Sequence, residues 1–455
     1  MTLDVVILAA GQGTRMRSTR PKVLHRLAGK PMVRHVIDTA RALEAERTHV
    51  VVGHGADQVR QALADCNVHF ALQAEQKGTG HAVAQTLDAL GQGRVLVLYG
   101  DVPLTRRETL VELLAHVDEQ HMALLTVTLD DPTGYGRILR NADAEVVAIV
   151  EHKDASESER AVRECNTGIM AMTAAQLRRW LPRLSADNAQ GEYYLTDIIA
   201  MAAAEGVTIA TAQPARPLEV EGANNRAQMA RLERAHQRDI AEQLMTQGVA
   251  LSDPSRLDVR GTLTCGHDVE IDVGCVFEGH VELGEGVHIG PYCVIRDSHI
   301  GADSVIDSHS VLDGTVIAGR NRIGPFARLR PGSRLAVGAK VGNFVETKNV
   351  EVGEGSKINH LSYVGDARLG RDVNVGAGTI TCNYDGVNKH RTEIGAGAFI
   401  GSNTALVAPV SVGRGATVGA GSTISKDVAD HALAVSRGRQ ISKSDWPRPT
   451  KRQDD

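Results

Sequence analysis

The chain has 455 residues, of which 42% are hydrophobic and 23% charged, and its net charge at pH 7 is −5. That length exceeds what a single hydrophobic core usually fills, so we expect two or more domains. The slightly acidic balance gives no electrostatic reason to expect a nucleic-acid partner. Glycine is abundant at 46 residues, whereas aromatic residues make up only 3%. This combination indicates many tight turns around a core of small aliphatic side chains.

The cysteines and the N-terminus bear on where the protein works. The six cysteines form no CxxC pair and no metal-ligand cluster, a usage typical of reduced thiols. The first stretch, MTLDVVILAAG, carries Asp4 where an export signal would carry positive charge, and its apolar run is too short for a membrane span. We therefore expect a cytoplasmic protein without a membrane segment.

Residues 1–224 alternate between buried strands and helices. DVVILAAG and RVLVLYGD are continuous apolar runs rich in Val, Leu and Ile, as in parallel strands covered on both faces. Helical patterns such as PMVRHVIDTARAL separate these strands. The alternation predicts a doubly wound, Rossmann-like α/β domain whose ligand site lies outside the carboxyl ends of its strands.

A long helical pattern follows and connects this domain to the next. In NRAQMARLERAHQRDIAEQLMTQG, apolar residues recur at three and four positions, and Gly248 offers a stop. We assign residues 225–249 to a helical linker and residues 250–455 to a second domain.

The second domain repeats an aliphatic residue at every sixth position. The clearest run is Ile394, Ile400, Leu406, Val412, Val418 and Ile424. A six-residue period predicts a parallel β-helix, in which three hexads make one coil and the region holds roughly ten coils. After Val375 the repeat breaks at TCNYDGVNKHRTE and resumes at Ile394. The break is either a tolerated surface insertion or a loop that carries function.

The stretch LAAGQGTRM, which follows the first strand, is a candidate phosphate-binding loop. It lacks the P-loop pattern, and Met16 occupies the place of the third glycine in a dinucleotide fingerprint. What remains is a glycine loop that lets backbone N–H groups approach phosphate, followed by Arg15 and Lys22. Two cations there suit a triphosphate; the alternative is a turn with solvated charges.

Asp101 stands just past the second buried strand. An isolated carboxylate in that place is suited to hold Mg²⁺, although alone it could equally cap a turn or a helix.

Together these motifs resemble the sugar nucleotidyltransferases, whose signature is LAAGxGTRM…PK and a later strand-terminal Gly-Asp. The resemblance continues through GYGRI, IVEHKDA, CNTGIM, GEYYLTD and EVEGANNR. With the hexapeptide half, nearly the whole chain resembles the bacterial family of bifunctional N-acetylglucosamine-1-phosphate uridylyltransferases/glucosamine-1-phosphate N-acetyltransferases. The resemblance implies a left-handed β-helix, a homotrimer, and acetylation by acetyl-CoA followed by transfer of UMP from UTP with release of pyrophosphate. The product, UDP-N-acetylglucosamine, would feed peptidoglycan and lipopolysaccharide precursors.

The resemblance also implies roles for residues of the first domain. Arg15 and Lys22 would be catalytic, and Asp101 and Asn224 would hold Mg²⁺, with Asn225 as the alternative to Asn224. Gln73, Gly78 and Thr79 would contact uracil, and Gly136, Glu151 and Asn166 the sugar. The remaining residues of the nucleotide-sugar site would be Leu8, Ala9, Ala10, Gly11, Tyr99 and Gly100.

His360 is the candidate base for acetyl transfer. An amine attacks a thioester only when unprotonated, and histidine has an ordinary pKa near ~6.5 that suits proton removal. His360 comes two residues after the inward-facing Ile358, so burial in the coil does not explain it. Glu346 is a candidate for the carboxylate that orients His360.

The resemblance implies two further binding sets in the β-helix. Arg330, Lys348, Tyr363 and Asn374 would bind the acceptor sugar phosphate, and Arg330 and Lys348 are about one coil apart. Acetyl-CoA would be bound by Ala377, Asn383, Tyr384, Ser402, Ala420 and Arg437. The polar tail SDWPRPTKRQDD is expected to be poorly ordered unless Trp446 docks.

Two other functions are compatible with parts of the pattern. In one, as in ADP-glucose-type pyrophosphorylases, the β-helix would serve only assembly or regulation; His360, Lys348 and the interrupted repeat argue against it. The other is a non-catalytic hexapeptide scaffold related to translation-factor regulators. The set of Arg15, Lys22 and Asp101 argues against that function.

Overall fold

The structure, a computed structural model, describes residues 2–448. The chain divides into two compact units, Met1–Asp239 and Ile240–Asp455. The boundary falls inside a helix of 21 residues, Arg226–Thr246. The functional limits at residues 224 and 249 stay a prediction.

The first unit is built on a sheet whose strands alternate with helices. Its strands are β1 Leu3–Ala9, β2 Arg26–Leu27, β3 Lys30–Pro31, β4 Arg47–Val52, β5 His69–Leu72, β6 Arg94–Tyr99, β7 His121–Thr128, β8 Arg137–Arg140, β9 Val146–Val150, β10 Glu164–Thr173 and β11 Thr208–Ala212. Its α-helices, with the boundary helix as α8, are α1 Met32–Ala42, α2 Ala56–Ala62, α3 Thr79–Ala84, α4 Arg107–Ala115, α5 Glu157–Arg160, α6 Ala174–Trp180, α7 Asp197–Ala204 and α8 Arg226–Thr246. Short 3-10 helices of the chain are Thr14–Met16, Lys22–Leu24, Leu87–Ala89, Leu181–Arg183, Pro217–Val220 and Pro254–Arg256.

The main sheet has the order β11-β7-β10-β6-β1-β4-β5, with β8 joined to β10 and β9 joined to β8. Alternate residues of β1 enter different cores: Val5 and Ile7 pack with helix α1 on one face, and Val6 and Leu8 pack with α6 and α7 on the other. The doubly wound prediction is therefore confirmed. The sheet is mixed, because β10 runs antiparallel to both β6 and β7, as open sheets of this class often allow.

The second unit is a stack of short parallel strands. They are β12 Ala250–Leu251, β13 Asp258–Cys265, β14 Glu270–Ile271, β15 Val276–Leu283, β16 His288–Ile289, β17 Val294–Arg296, β18 His299–Ile300, β19 Val305–Ile306, β20 Val311–Asp313, β21 Val316–Ile317, β22 Arg322–Ile323, β23 Arg328–Leu329, β24 Arg334–Leu335, β25 Lys340–Asn343, β26 Glu346–Val352, β27 Lys357–His360, β28 Tyr363–Leu369, β29 Asn374–Val375, β30 Ile380–Cys382, β31 Thr392–Ile394, β32 Phe399–Ile400, β33 Ala405–Val407, β34 Val410–Val412, β35 Thr417–Val418, β36 Thr423–Ile424 and β37 Leu433–Ala434.

Each coil pairs with the next in parallel register, which confirms the predicted β-helix. The step is 18 residues from Val276 to Val294 and 17 from Val294 to Val311. The aliphatic residues that recur at every sixth position, here called the hexad column, are buried and form one continuous core. At Gly376 a Cβ would lie 2.6 Å from the Ser402 amide nitrogen of the next coil, so the spacing of the coils requires glycine there.

The interruption of the repeat is shorter than the sequence predicts. Strand β30 continues the coil, and Thr381 fills an inward position with 1% of its surface exposed. A buried threonine escapes a search for aliphatic residues, so the predicted start of the break was wrong. The loop proper spans residues 383–391 and lengthens one coil to 25 residues, from 380 to 405.

Asp385 organises this loop from within. Its carboxylate accepts hydrogen bonds from the backbone N–H groups of Val387 and Asn388, and it contacts His390 Nε2 at 2.7 Å. These bonds, with that of Asn388 first, hold the pKa of Asp385 well below its usual range. The conformation of the loop is therefore held by hydrogen bonds among its own residues.

Three remaining sequence expectations concern the chain as a whole. All six cysteines are free thiols. Among residues 2–448, none of the helices has the length and apolar character of a membrane span. Trp446 is 66% exposed, and the part of the predicted tail from residue 449 lies outside the described residues.

Candidate functional sites

A cleft of about 390 Å³ opens in the first unit where β1 and β6 end. The carboxyl edge of such a sheet is where ligands bind in this class of fold. The structure brings together at the cleft most residues that the sequence assigned to the nucleotide site: Leu8, Ala9, Ala10, Gly11, Lys22, Gln73, Gly78, Thr79, Tyr99, Asp101 and Asn224. Gly100 lies between two of these residues, and its N–H joins the loop to β1 by donating to Leu8 O at 2.9 Å.

Sequence reasoning missed several lining residues, namely Val23, Gln76, Ala82 and Glu192. Gln76 lies in QAEQKGTGHA, residues 73–82, the segment that also holds Gln73, Gly78 and Thr79, and Glu192 lies in the motif GEYYLTD. Nothing in either motif says which of its polar side chains points inward.

The polar centre of the cleft is built on Lys22. Its Nζ forms an ion pair with Asp101 Oδ2 and donates to Asn224 Oδ1 at 2.7 Å. Arg15, from the glycine loop, donates to the same Asn224 oxygen at 2.9 Å. Three segments far apart in sequence therefore converge on one point, with two cations facing two side-chain oxygens.

These oxygens fit a magnesium ion. Mg²⁺ prefers oxygen ligands and usually takes one or two from the protein and the rest from phosphate and water. Gly222 leaves the approach to the carboxylate open, since a Cβ there would lie 3.1 Å from Asp101 Oδ2.

The structure distinguishes Asn224 from Asn225, which the sequence left as alternatives for holding Mg²⁺. Asn225 Oδ1 accepts from the N–H of Gln228 at 2.9 Å and so caps the start of α8. Asn224 Oδ1 faces Lys22 and Arg15. Only Asn224 presents its side-chain oxygen to the cleft.

The predicted sugar residues lie in or next to three adjacent strands, β10, β8 and β9. The N–H of Asn166 in β10 donates to Gly136 O, just before β8, at 2.9 Å. A Cβ at Gly136 would lie 3.4 Å from both carboxylate oxygens of Glu151, just after β9. The structure therefore brings these three residues together beside one another.

Tyr99 connects this group electrostatically with the cleft. Burial raises the pKa of the Tyr99 hydroxyl, and the charges of Glu151 and Asp101 raise it further. Burial also raises the pKa of the Glu151 carboxyl, while a hydrogen bond from Thr196 at 3.1 Å opposes the shift. Tyr99 thus stays a neutral hydroxyl.

A cationic patch lies on the β-helix. Arg330 follows β23 and its N–H donates to Thr347 O, so it lies beside Lys348 on the next coil. The nearby Lys389 ammonium lowers the pKa of Lys348, with smaller effects of burial and Arg330. Lys389 comes from the 383–391 loop, and sequence reasoning missed it because nothing distinguished it from other loop lysines.

Of the other two predicted sugar-phosphate residues, Tyr363 lies on the same sheet as Arg330 and Lys348, and Asn374 lies on a second sheet of the β-helix. Tyr363 pairs with Glu346 in register, and its hydroxyl lies over Gly365, where a Cβ would meet it at 2.4 Å. Asn374 pairs with Lys357 at the start of the strand that ends at His360.

His360 is exposed and is oriented by an amide. Its Nδ1 contacts Asn343 Oδ1 at 2.5 Å on the preceding coil. The expectation for Glu346 was wrong within this chain, because that carboxylate accepts from Arg330 Nη1 at 2.9 Å. Asn343 lies one coil before His360 in register, so the repeat could have pointed to it.

Four of the six predicted acetyl-CoA residues form a column along the coils. The Ala377 carbonyl accepts from Asn403 N at 2.7 Å, and the Ser402 carbonyl accepts from Gly421 N at 2.8 Å, which stacks Ala377, Ser402 and Ala420. Arg437 Nη1 donates to Ala420 O at 2.7 Å and so ends the column.

Asn383 and Tyr384 stand at the start of the loop that follows β30. Asn383 Nδ2 donates to Asp366 at 2.5 Å, and Tyr384 is 60% exposed. Asn383 thus ties the loop to the coil, whereas Tyr384 offers its ring at the surface.

Known protein families match both units. Residues 5–187 match the MobA-like NTP transferase domain, residues 259–383 the GMPPB C-terminal domain, and residues 391–426 six bacterial transferase hexapeptide repeats. Over 451 residues, the chain is 72% identical to the bifunctional protein GlmU of Chromohalobacter salexigens, covering 99% of this chain and 100% of that protein. The chain belongs to the bifunctional GlmU family. It is also 61% identical over 450 residues to GlmU of Marinobacter nauticus, with 99% of each chain covered.

Membership of the GlmU family assigns two activities of one biosynthetic route to this chain. The chain is a uridylyltransferase and a glucosamine-1-phosphate acetyltransferase of UDP-N-acetylglucosamine synthesis. Its first unit carries out nucleotide-sugar chemistry, and its second unit carries the transferase repeats.

Proposed function

We propose that the cleft of the first unit transfers UMP from UTP to N-acetylglucosamine 1-phosphate with Mg²⁺, and that the β-helix acetylates glucosamine 1-phosphate with acetyl-CoA beforehand. The observation that carries the first part is the convergence of Arg15, Lys22, Asp101 and Asn224 on one point of the cleft.

The uridylyl transfer needs positioning and charge neutralisation more than proton transfer. The sugar phosphate is already anionic, so it attacks the α-phosphorus of UTP without a general base, and pyrophosphate leaves. Lys22 and Arg15 offset the negative charge that gathers at the α-phosphate. When bound between Asp101 and Asn224, Mg²⁺ would withdraw charge from the phosphate oxygens.

The sugar and base ends of the same site are proposed from the adjacent residues. The sugar would be held by Gly136, Glu151 and Asn166. The neutral hydroxyl of Tyr99 would lie between these residues and the proposed Mg²⁺ ligands Asp101 and Asn224. Gln73, Gly78 and Thr79 would contact uracil.

Replacing Asn224 tests the metal site against a matched neighbour. We expect Asn224→Ala to raise the Mg²⁺ concentration needed for half-maximal pyrophosphate release on the order of tenfold or more, because one oxygen ligand is lost. Asn225→Ala removes a helix cap instead and is expected to cost about 1 kcal/mol of stability with the Mg²⁺ dependence unchanged. Magnesium titrations of both variants measure the difference, and equal shifts in the two would refute the assignment.

The acetyl-transfer site is proposed around His360. Since Nδ1 faces the acceptor oxygen of Asn343, the neutral ring carries its proton on Nδ1 and leaves the Nε2 lone pair free. Nε2 would take a proton from the sugar amine as the amine nitrogen attacks the thioester carbonyl carbon. The carbon–sulfur bond then breaks, and the sulfur receives the proton from Nε2, so that coenzyme A leaves as the thiol and His360 is neutral again.

Two ligand sites flank His360 in this proposal. Arg330, Lys348 and Lys389, with Tyr363 and Asn374, would bind the sugar phosphate. The column of Ala377, Ser402, Ala420 and Arg437, with Asn383 and Tyr384, would bind acetyl-CoA, whose elongated shape suits a groove along stacked coils.

Lys389 gives a test of the phosphate site. A bound phosphate dianion would offset the mutual repulsion of Arg330, Lys348 and Lys389. Because Lys389→Ala removes one of the charges that bind the phosphate, we expect it to raise the KM for glucosamine 1-phosphate about tenfold with little change in kcat. Lys340→Ala, which removes an exposed lysine from another strand of the β-helix, is the matched control. Steady-state acetyl transfer measures both, and the same KM in the two variants would contradict the phosphate site.

The proposal also covers the association of copies of this chain and its location in the cell. Self-association is supported by a row of exposed rings along the coils, Tyr292, His309, Phe326 and Phe344, whose centroids lie 5.2, 4.8 and 5.3 Å apart, since exposed apolar stripes commonly mark interfaces. That the assembly is a homotrimer is proposed from the family resemblance. A cytoplasmic location is proposed because UTP and acetyl-CoA are intracellular metabolites. We also propose that the functional domains are residues 1–224 and 250–455.

A further inference from the structure

Gln73 follows β5 and lines the cleft, with 3% of its surface exposed. Its backbone N–H donates to Val52 O at 2.8 Å and so extends the sheet ladder. The backbone is therefore fixed, and the orientation of the side-chain amide decides what Gln73 offers to a ligand.

Both hydrogens of that amide are used inside the protein. Nε2 donates to Gly78 O at 3.0 Å and lies 3.1 Å from His81 Nδ1. A backbone carbonyl only accepts, so it fixes which end of the amide is the nitrogen. The second hydrogen then requires the lone pair of His81 Nδ1, which places the ring proton on Nε2.

The two acceptors are themselves held in place by the Tyr193 segment. Gly78 has φ 103°, and a Cβ there would lie 2.6 Å from Tyr193 O, so the turn requires glycine. The His81 ring, on α3, lies 6.4 Å from the Tyr193 ring at an angle of 35°. The amide of Gln73 therefore meets a fixed pair of acceptors.

These contacts leave the side-chain oxygen of Gln73, Oε1, available to a ligand. Among residues 2–448, none donates a hydrogen bond to it, and the side chain faces the cleft. The oxygen is therefore open to the cleft, and a base that displaces water from it must offer a hydrogen-bond donor in return. Uracil presents N3–H there, whereas cytosine presents the N3 lone pair, which repels an acceptor.

We propose that His81 is a positioning residue for nucleotide selection: together with Gly78 O it holds the Gln73 amide with its oxygen toward the base, so that the cleft accepts UTP and rejects CTP. This inference rests on the proposed function of the cleft. It adds a residue that need not touch the nucleotide.

The test is the ratio of kcat/KM for UTP to that for CTP, measured by pyrophosphate release with N-acetylglucosamine 1-phosphate and the full-length protein. His81→Ala leaves one of the two amide hydrogens without its acceptor, and we expect the ratio to fall about 5–10-fold. His81→Asn restores an acceptor oxygen near the position of Nδ1 and is expected to keep the ratio within about twofold of the parent protein. The ratio does not depend on the folded fraction, because both nucleotides meet the same active molecules.

Three outcomes would count against the proposal in distinguishable ways. An unchanged ratio in His81→Ala, with both rates lowered equally, would show a merely structural role. A ratio as low in His81→Asn as in His81→Ala would remove the acceptor argument. If the parent protein released pyrophosphate from neither nucleotide, the proposed function of the cleft would itself fail.

Discussion

Replacing His360 by alanine is expected to lower acetyl transfer by about 10²–10⁴-fold and to leave uridylyl transfer unchanged. The reason is that His360 Nε2 is the group free to take the amine proton, while Nδ1 is engaged by Asn343 on the preceding coil. The inward column at Ile358 is untouched by the change, so the β-helix is expected to stay folded. Release of coenzyme A thiol from acetyl-CoA and glucosamine 1-phosphate measures the effect.

The matched control for His360 is another exposed histidine of the same domain. His280 lies in β15 with 63% of its side chain exposed, so His280→Ala removes the same ring without reaching the proposed site. We expect this variant to acetylate at the parent rate. Undiminished acetylation by His360→Ala would refute its assignment as the base.

Asp101→Asn is expected to give the reverse pattern. It keeps the shape of the side chain but removes the negative charge that faces Lys22 and would hold Mg²⁺. Losing that charge should lower uridylyl transfer on the order of 10²–10³-fold, since metal-ion catalysis supplies several kcal/mol of transition-state stabilisation. Acetyl transfer by the same preparation should be unchanged, and pyrophosphate release measures the loss.

A second aspartate provides the control for this variant. Asp57, in the first turn of α2, has a fully exposed side chain, and Asp57→Asn makes the same charge change outside the cleft. We expect no loss of pyrophosphate release from it. If Asp101→Asn retained the parent rate at saturating and limiting Mg²⁺, the metal assignment would be wrong.

The sequence predicted the fold well because both units have strong periods. The hexad column and the alternating strands and helices are properties of local order along the chain, and they survive without tertiary information. The antiparallel β10 was not predicted, because strand direction depends on how the preceding connection crosses the sheet. Thr381 was missed for another reason, since its polar side chain fills an inward place.

The sites were predictable where a motif or the register fixes a residue. The glycine loop, Lys22 and Asp101 lie in motifs, and Arg330 and Lys348 are related by the coil. Side-chain direction was beyond such patterns: Glu346 turns to Arg330 instead of His360. The opposite roles of Asn224 and Asn225 likewise depend on which amide caps α8.

We propose that one chain carries two chemically independent sites that act in sequence. The most direct measurement follows all products in one vessel that holds glucosamine 1-phosphate, acetyl-CoA, UTP and Mg²⁺. We expect Asp101→Asn to stop at N-acetylglucosamine 1-phosphate, and His360→Ala to form no nucleotide sugar until N-acetylglucosamine 1-phosphate is added, after which it should form UDP-N-acetylglucosamine at the parent rate. Loss of both half-reactions in either variant, with the protein still folded, would contradict the claim.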